Sequence, residues 1–420
     1  MRKAFSHKGF PALFAGTTTS MLGDSVMLLV FSMWVKDLTG SNGQAGLTFF
    51  WMVVPSLFGP LLGGPIDRCR RKPLLVWGNV ASAAIVLPLL FVQDRGQLWI
   101  IWSVAFLYGV SFVVLPAAFN GLLKELLPED QLVDANASLQ TVKEAFRLVG
   151  PLIGAGLFGA FGGWAVALVD AASFLVAAAF IARVRVREEV PTREDASYWV
   201  ELTAGARHLA GEPVLRHVLV AFGCMLLVVG FAEASIFAIL DAFGRPVEFA
   251  GVVVTVQGVG AVAGGLVASR VVRRYSEPGA VFIGLVVMAV SLGIVAAATT
   301  LPLLFAGVVV LGWSLPVLFV AYTTLVQRRT PQRLMGRVGT ALEVVLGAPH
   351  AISLAVGAAL VSLLSYHVIF ALMGSVTLVG ALYLLGRLGR AVLRPEPVDL
   401  AGPPAGPSGL EGVLGRGELA

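Results

Sequence analysis

The chain has 420 residues, of which 57% are hydrophobic and 13% charged, against roughly 25% charged in ordinary soluble domains. That deficit excludes a water-covered surface for a protein of this size, and the 48 glycines suit helices whose backbones approach closely in lipid. A net charge of +5 does not point to nucleic acid, because the basic residues alternate regularly with apolar runs. Cys69, Cys224 and five scattered histidines supply neither a disulfide framework nor a metal-ligand cluster.

About 20 apolar residues cross the hydrocarbon core as a helix. Arg2, Lys3 and Lys8 precede an apolar run, Pro11 to Val35. It is too long for a signal peptide and no small-residue cleavage site closes it, so it is expected to be the first span, near 12–35. Further spans are predicted near 43–65, 74–93, 98–120, 139–160 and 163–182, then near 217–240, 249–269, 279–298, 301–325, 338–363 and 367–386. Polar residues interrupt the fifth and eleventh. This divides the chain into a first six-helix half over 1–182, a polar central loop over 183–216, a second half over 217–390, and a Pro- and Gly-rich tail over 391–420 expected to be disordered. Within the loop, Tyr198 to Leu209 reads as an amphipathic helix on the inner leaflet.

Of the 30 Lys and Arg residues, 25 fall in the termini and in alternate loops. Lys36, Arg95 and Arg245 occupy the other loops, while Lys143 and Arg147 fall inside the fifth span. The excess of positive charge marks the cytoplasmic side, so both termini are expected there and the number of spans is even. The halves also resemble each other. Gly59, Gly63 and Gly64 match Gly260, Gly264 and Gly265 at an offset of 201, and Leu115, Pro116 and Phe119 match Leu315, Pro316 and Phe319 at an offset of 200. The expected fold is an all-α polytopic membrane protein with about twelve transmembrane helices in two six-helix pseudo-symmetric halves, a plan that places a substrate cavity between the halves.

After the second span comes Gly63-Gly64-Pro65-Ile66-Asp67-Arg68-Cys69-Arg70-Arg71-Lys72. The glycines permit close helix packing, Asp67 is suited to meet a helix N-terminus, and the cations suit acids or lipid phosphates. This run resembles the signature loop of the major facilitator superfamily, with Arg70 where a second glycine is usual, a variant similar to the macrolide-efflux-like branch of drug:proton antiporters. Ser20-Met21-Leu22-Gly23-Asp24, Asp37-Leu38-Thr39-Gly40, Leu127-Pro128-Glu129-Asp130-Gln131-Leu132, Ala135-Asn136-Ala137 and Arg147-Leu148-Val149-Gly150-Pro151-Leu152-Ile153-Gly154 extend the resemblance along the chain. It implies that Gly63, Asp67, Arg68, Arg71 and Lys72 form a conformational latch, Asp67 reaching the start of the eleventh span near Gly336 and Arg337. It also implies that Arg147, Gly150, Pro151 and Gly154 form a fifth-helix motif of bending and close approach, from which the sequence departs at Phe146 and Ala155. The fourth span lacks the intramembrane Arg of many such antiporters.

A charge at the bilayer centre costs about 2.5–3.5 kcal/mol on insertion scales, so each one inside a span is a functional candidate. Asp24, Glu144, Arg147, Asp170, Glu233 and Glu343 qualify. Asp24, Glu233 and Glu343 are the candidates for proton coupling or substrate binding, since a desolvated carboxylate can alternate between a proton and a cationic group. Asp170 and His350 are weaker candidates. Glu144 and Arg147, three residues apart, are expected to pair on one helix face.

These features predict a secondary transporter in the bacterial inner membrane, exporting an amphipathic small molecule against protons and bounded by membrane lipid; the resemblance implies that it works as a monomer. The alternatives are a nutrient importer or a non-transporting sensor. An enzyme is not expected and no cofactor is implied: the sequence has no HExxH, and Gly258-Val259-Gly260 lies within an apolar span without a following GKS or GKT.

Overall fold

The computed structural model describes residues 5–7, 9–59, 66, 69–186, 188, 198–331 and 334–389. The described chain is helical throughout. In order it runs α1 (Phe10–Thr39), α2 (Asn42–Leu57), α3 (Arg71–Val86), α4 (Leu98–Leu126), α5 (Glu129–Phe161), α6 (Gly163–Ala182), α7 (Tyr198–Gly211), α8 (Pro213–Ala242), α9 (Phe249–Ala296), α10 (Leu301–Arg329), α11 (Met335–Leu360) and α12 (Tyr366–Leu388). Among the described residues, ten helical segments are long and apolar enough to cross a membrane. One of them, α9, is two spans in one: Ser276, at φ 63, breaks it ahead of Pro278. With the shorter α2 this gives twelve passes, plus α7, and the loop expected between the eighth and ninth spans shrinks to that one break. The helices alternate between the end where α1 begins, here the terminal end, and the opposite, distal end.

The helix boundaries follow local chemistry. Gly40, at φ 68, closes α1 with its N–H on the Lys36 carbonyl, a left-handed C-terminal cap that glycine adopts without strain. Ser41 caps α2 through the Gln44 N–H, and the Glu212 side chain caps α8 through the Leu215 N–H ahead of Pro213.

Small residues decide which helices meet. A Cβ on Gly109 of α4 would lie 2.2 Å from the Met52 carbonyl oxygen of α2. In the second group, Cβ atoms on Gly260 and Gly264 of α9 would lie 2.1 and 2.2 Å from the Val309 and Trp313 carbonyls of α10. Such separations admit only glycine. Between the two groups of spans, α2 meets α8 and α11, and α5 meets α9. The close approaches gather toward the distal end: Gly43 on Ala358 and Ser362, Gly46 on Ala234, Gly251 on the Pro151 carbonyl, and Gly159 on Glu248.

The α7 helix forms where amphipathic character was expected, yet it docks on protein. A Cβ on Gly205 would lie 2.1 Å from the Arg337 carbonyl of α11, and His208 Nε2 is 3.2 Å from the Arg329 carbonyl of α10. The tail over 391–420, Pro191 and most of the central loop around it lie outside the described residues.

Candidate substrate and proton site

A cavity of about 1420 Å³ lies between the first six and last six spans. Its lining runs from Phe49 and Ile239 toward the distal end to Leu75, Asn120 and Asn136 at the terminal end. Leu115 and Phe119 of α4 line it along with Leu315 and Phe319 of α10, so the repeated residues of the sequence share one cavity wall in each group. Most of the surface is apolar, with Met225, Met288 and Met373 among the lining residues.

Asp24 faces this cavity from the middle of α1. Two neighbours fix its place. A Cβ on Gly150 of α5 would lie 2.4 Å from Ser25 Oγ, and one on Gly154 would lie 2.2 Å from the Val26 carbonyl. A Cβ on Gly23 would lie 2.1 Å from Ser173 Oγ and 2.5 Å from Asp170 Oδ1 of α6. The glycines thus clamp α1 between α5 and α6 at the level of Asp24. Pro151, between the two α5 glycines, lacks the N–H that would bond the Arg147 carbonyl.

Behind Asp24 stands a buried polar group. The Tyr108 hydroxyl of α4 is 2.6 Å from Asp24 Oδ1 and 3.0 Å from Asp170 Oδ2. Tyr108 is 1% exposed and Asp170 0%, whereas Asp24 is half-buried. One hydroxyl carries one proton and donates to one carboxylate at a time. Both contacts are hydrogen bonds only when one carboxyl group is itself protonated and donates to the phenol oxygen. The geometry thus accommodates one further proton among the three side chains, of which only Asp24 lines the cavity. Edge-to-face contacts of the Tyr108 ring with Phe31, Phe112 and Phe174 hold it in place. Asp170 Oδ1 has no hydrogen-bond partner in the structure, which is costly for a buried oxygen.

Glu233 of α8 and His350 of α11 line the cavity as a pair, Oε1 to Nε2 at 3.4 Å. Glu343, two turns before His350, is exposed and is not part of the cavity wall, so the structure brings Asp24 and Glu233 to one cavity and leaves Glu343 apart. The expected Glu144–Arg147 pair does not form. Glu144 Oε1 accepts from Gln140 Nε2 at 2.6 Å, a neighbour at i−4, and Arg147 turns to the cavity. Of the signature loop, Gly63, Asp67 and Arg68 lie outside the described residues. The Arg71 guanidinium donates to the Ile66 carbonyl at 2.8 Å, and the Lys72 N–H donates to Glu188 Oε1 at 3.1 Å.

Sequence reasoning placed Asp24 and Asp170 on separate spans but did not join them, and it passed over Tyr108. The available signal was an aromatic hydroxyl in mid-span, where a donor needs a buried acceptor. It also assigned Lys36 to an outer loop. Lys36 instead lies in the last turn of α1, 8% exposed, with Nζ 2.6 Å from Asp241 Oδ2 of α8 and 3.1 Å from the Gly40 carbonyl. Asn42 donates to the same Asp241 oxygen at 3.0 Å.

Twelve passes around a central cavity with intramembrane carboxylates define a polytopic secondary transporter. The chain matches the Major Facilitator Superfamily over residues 13–244 and 218–417 and belongs to it. It is 26% identical to the uncharacterized MFS-type transporter YfiS of Bacillus subtilis, over 91% of this chain and 94% of that one. It is 23% identical to macrolide efflux protein A of Streptococcus pyogenes over 42% of this chain and 44% of that one. With the multidrug efflux pump Tap of Mycobacterium bovis it shares 25% identity over 80% and 83%. Among solved structures, a bacterial homologue of the iron transporter ferroportin in the inward-facing state superposes with a TM-score of 0.70 at 16% identity, over 90% of this chain and 98% of that one. Nucleoside transporter NupG gives 0.73 at 12% identity, over 90% and 98%.

Proposed function

We propose that the protein exports amphipathic small molecules by proton antiport with alternating access, and that the Asp24–Tyr108–Asp170 group is its proton-carrying element. The observation that carries this reading is the single hydroxyl shared by a cavity-facing and a fully buried carboxylate. Protonation of Asp24 and substrate occupancy of the cavity are then linked, the minimal requirement for exchange. The large, mostly apolar, methionine-rich cavity suits bodies of variable shape. Partial likeness to proteins named for macrolide and multidrug efflux supports the outward direction.

In this reading both termini are cytoplasmic, as the distribution of Lys and Arg favours, in the inner membrane of a bacterium. The cavity then reaches the cytoplasmic side while the distal contacts hold the outer side shut. The segments 1–182 and 217–390 move as two halves about the 183–216 connection, the chain acts as a monomer, and Glu233 with His350 contacts substrate from the second half. Gly63, Asp67, Arg68, Arg71 and Lys72 serve as the latch that closes the cytoplasmic side in the opposite state, and Arg147, Gly150, Pro151 and Gly154 set the approach of α5 to α1.

The test is efflux of a panel of fluorescent amphiphiles from a pump-deficient bacterium, with and without a protonophore. Protonophore-sensitive efflux that disappears in Asp24→Asn is the expected result. Efflux that survives the protonophore sinks the antiport reading.

A further inference from the structure

Among the described residues, two cations in the cavity wall have no counter-charge. Lys143 and Arg147 lie one turn apart on α5, both exposed to the cavity they line. Their stripe continues through Asn136 and Gln140 on one side and Pro151 on the other, the spacing of a single helix face. Counting about 1.5 Å per residue back from Phe161, Arg147 is about 21 Å and Lys143 about 27 Å from the distal end of α5. Both therefore fall within a hydrocarbon layer about 30 Å thick.

The acids that could neutralise them are engaged elsewhere. Asp24 accepts from Tyr108, Glu233 meets His350, and Glu144 accepts from Gln140. Among the described residues no ion pair or hydrogen bond reaches either cation. Most of the lining contributed by the second group of spans is apolar, including Met288, Leu292, Phe370 and Met373. A cationic amphiphile would have to displace Tyr108 from Asp24 or His350 from Glu233, against the repulsion of the two cations. An anionic one would meet two free donors.

We infer that Lys143 and Arg147 form an anion subsite, and that the cavity selects amphiphiles carrying a carboxylate, phosphate or sulfonate at one end and an apolar body at the other. This rests on the transport reading above and narrows its substrate class. The guanidinium offers a fork that fits two oxygens, and the ammonium adds a point charge one turn away. The apolar body then lies toward Met288 and Met373.

The test uses the full-length protein in nanodiscs of uncharged phosphatidylcholine and three probes with the same apolar body: pyrenebutyrate, pyrenebutanol and pyrenebutylamine. Empty nanodiscs give the blank for partitioning. The expected order is pyrenebutyrate bound about tenfold more tightly than the alcohol, a factor that charge-assisted contacts readily supply, with the amine weakest. In the double variant Lys143→Gln, Arg147→Gln the butyrate should fall to the affinity of the alcohol. Arg147→Glu should raise affinity for the amine, a gain that misfolding cannot produce. Preference of the wild type for the amine or alcohol, no binding of any of the three, or an anion preference that survives the double variant overturns the inference. Export and proton coupling are read separately, as protonophore-sensitive efflux, so failure of either reading is distinguishable from failure of the other.

Discussion

Lys36 Nζ lies 2.6 Å from Asp241 Oδ2, tying the distal end of α1 to the distal end of α8. The lysine is almost wholly buried while the aspartate is half exposed, at 9% and 50% of their side chains. Neutralising the carboxylate leaves a buried ammonium facing only neutral acceptors, so Asp241→Asn should cost more than an exposed pair, which is worth about 0.2–1 kcal/mol. Because the pair exists only while the distal ends touch, its loss should shift the population toward a distal-open state several-fold. Spin labels on the distal ends of α2 and α11 should report longer distances in Asp241→Asn; unchanged distances would remove the pair from gating.

The tyrosine that joins Asp24 to Asp170 allows a sharper experiment than either acid alone. Tyr108→Phe keeps the ring and its aromatic neighbours but deletes the donor. A half-buried and a fully buried carboxyl group then lose their shared hydroxyl, at about 1–3 kcal/mol. Proton-driven transport should drop tenfold or more, whereas substrate exchange without a gradient should persist. Equal loss of both would make Tyr108 a packing residue only.

Gly23 sits where α1 meets α6. An alanine there would place Cβ 2.5 Å from Asp170 Oδ1 and closer still to Ser173 Oγ, so Gly23→Ala should destabilise the fold by about 1–3 kcal/mol, the usual range for overpacking. Gly156, with nothing within 4 Å of a built Cβ, supplies the comparison, and Gly156→Ala should be close to neutral. Thermal unfolding in detergent reads both. Equal midpoints would mean the α1–α6 contact yields easily.

Glu233 and His350 face the same cavity 3.4 Å apart, so their effects on substrate affinity should not add. A double-mutant cycle with Glu233→Gln and His350→Asn should show a coupling of about 0.5 kcal/mol or more. Additive effects would place the two in separate roles.

Much of this protein was written along the chain. Runs of about 20 apolar residues fix where it can cross lipid, because an unpaired backbone has no partner there. The repeat of Leu115-Pro116 and Phe119 in Leu315-Pro316 and Phe319 already indicated paired walls, and Asp24 and Glu233 stood out because charge inside a span is expensive. Helix ends were less legible: α9 continues through Arg270, Arg273 and Arg274 to Ser276, since basic residues at a membrane boundary are compatible with helix as well as loop.

Only the tertiary structure decided which charges meet. Lys36 and Asp241 are 205 residues apart, Asp24 and Tyr108 84, and Tyr108 and Asp170 62. No periodicity links positions so distant, because their approach depends on how glycines such as Gly23, Gly150 and Gly154 let whole helices close on one another. The same packing left Glu343 outside the cavity and turned Arg147 away from Glu144. The sequence alone placed Asp24, Asp170, Glu233 and Glu343 within membrane-spanning helices, by hydropathy; which of them meet a partner was settled by helix contacts that arise only on folding.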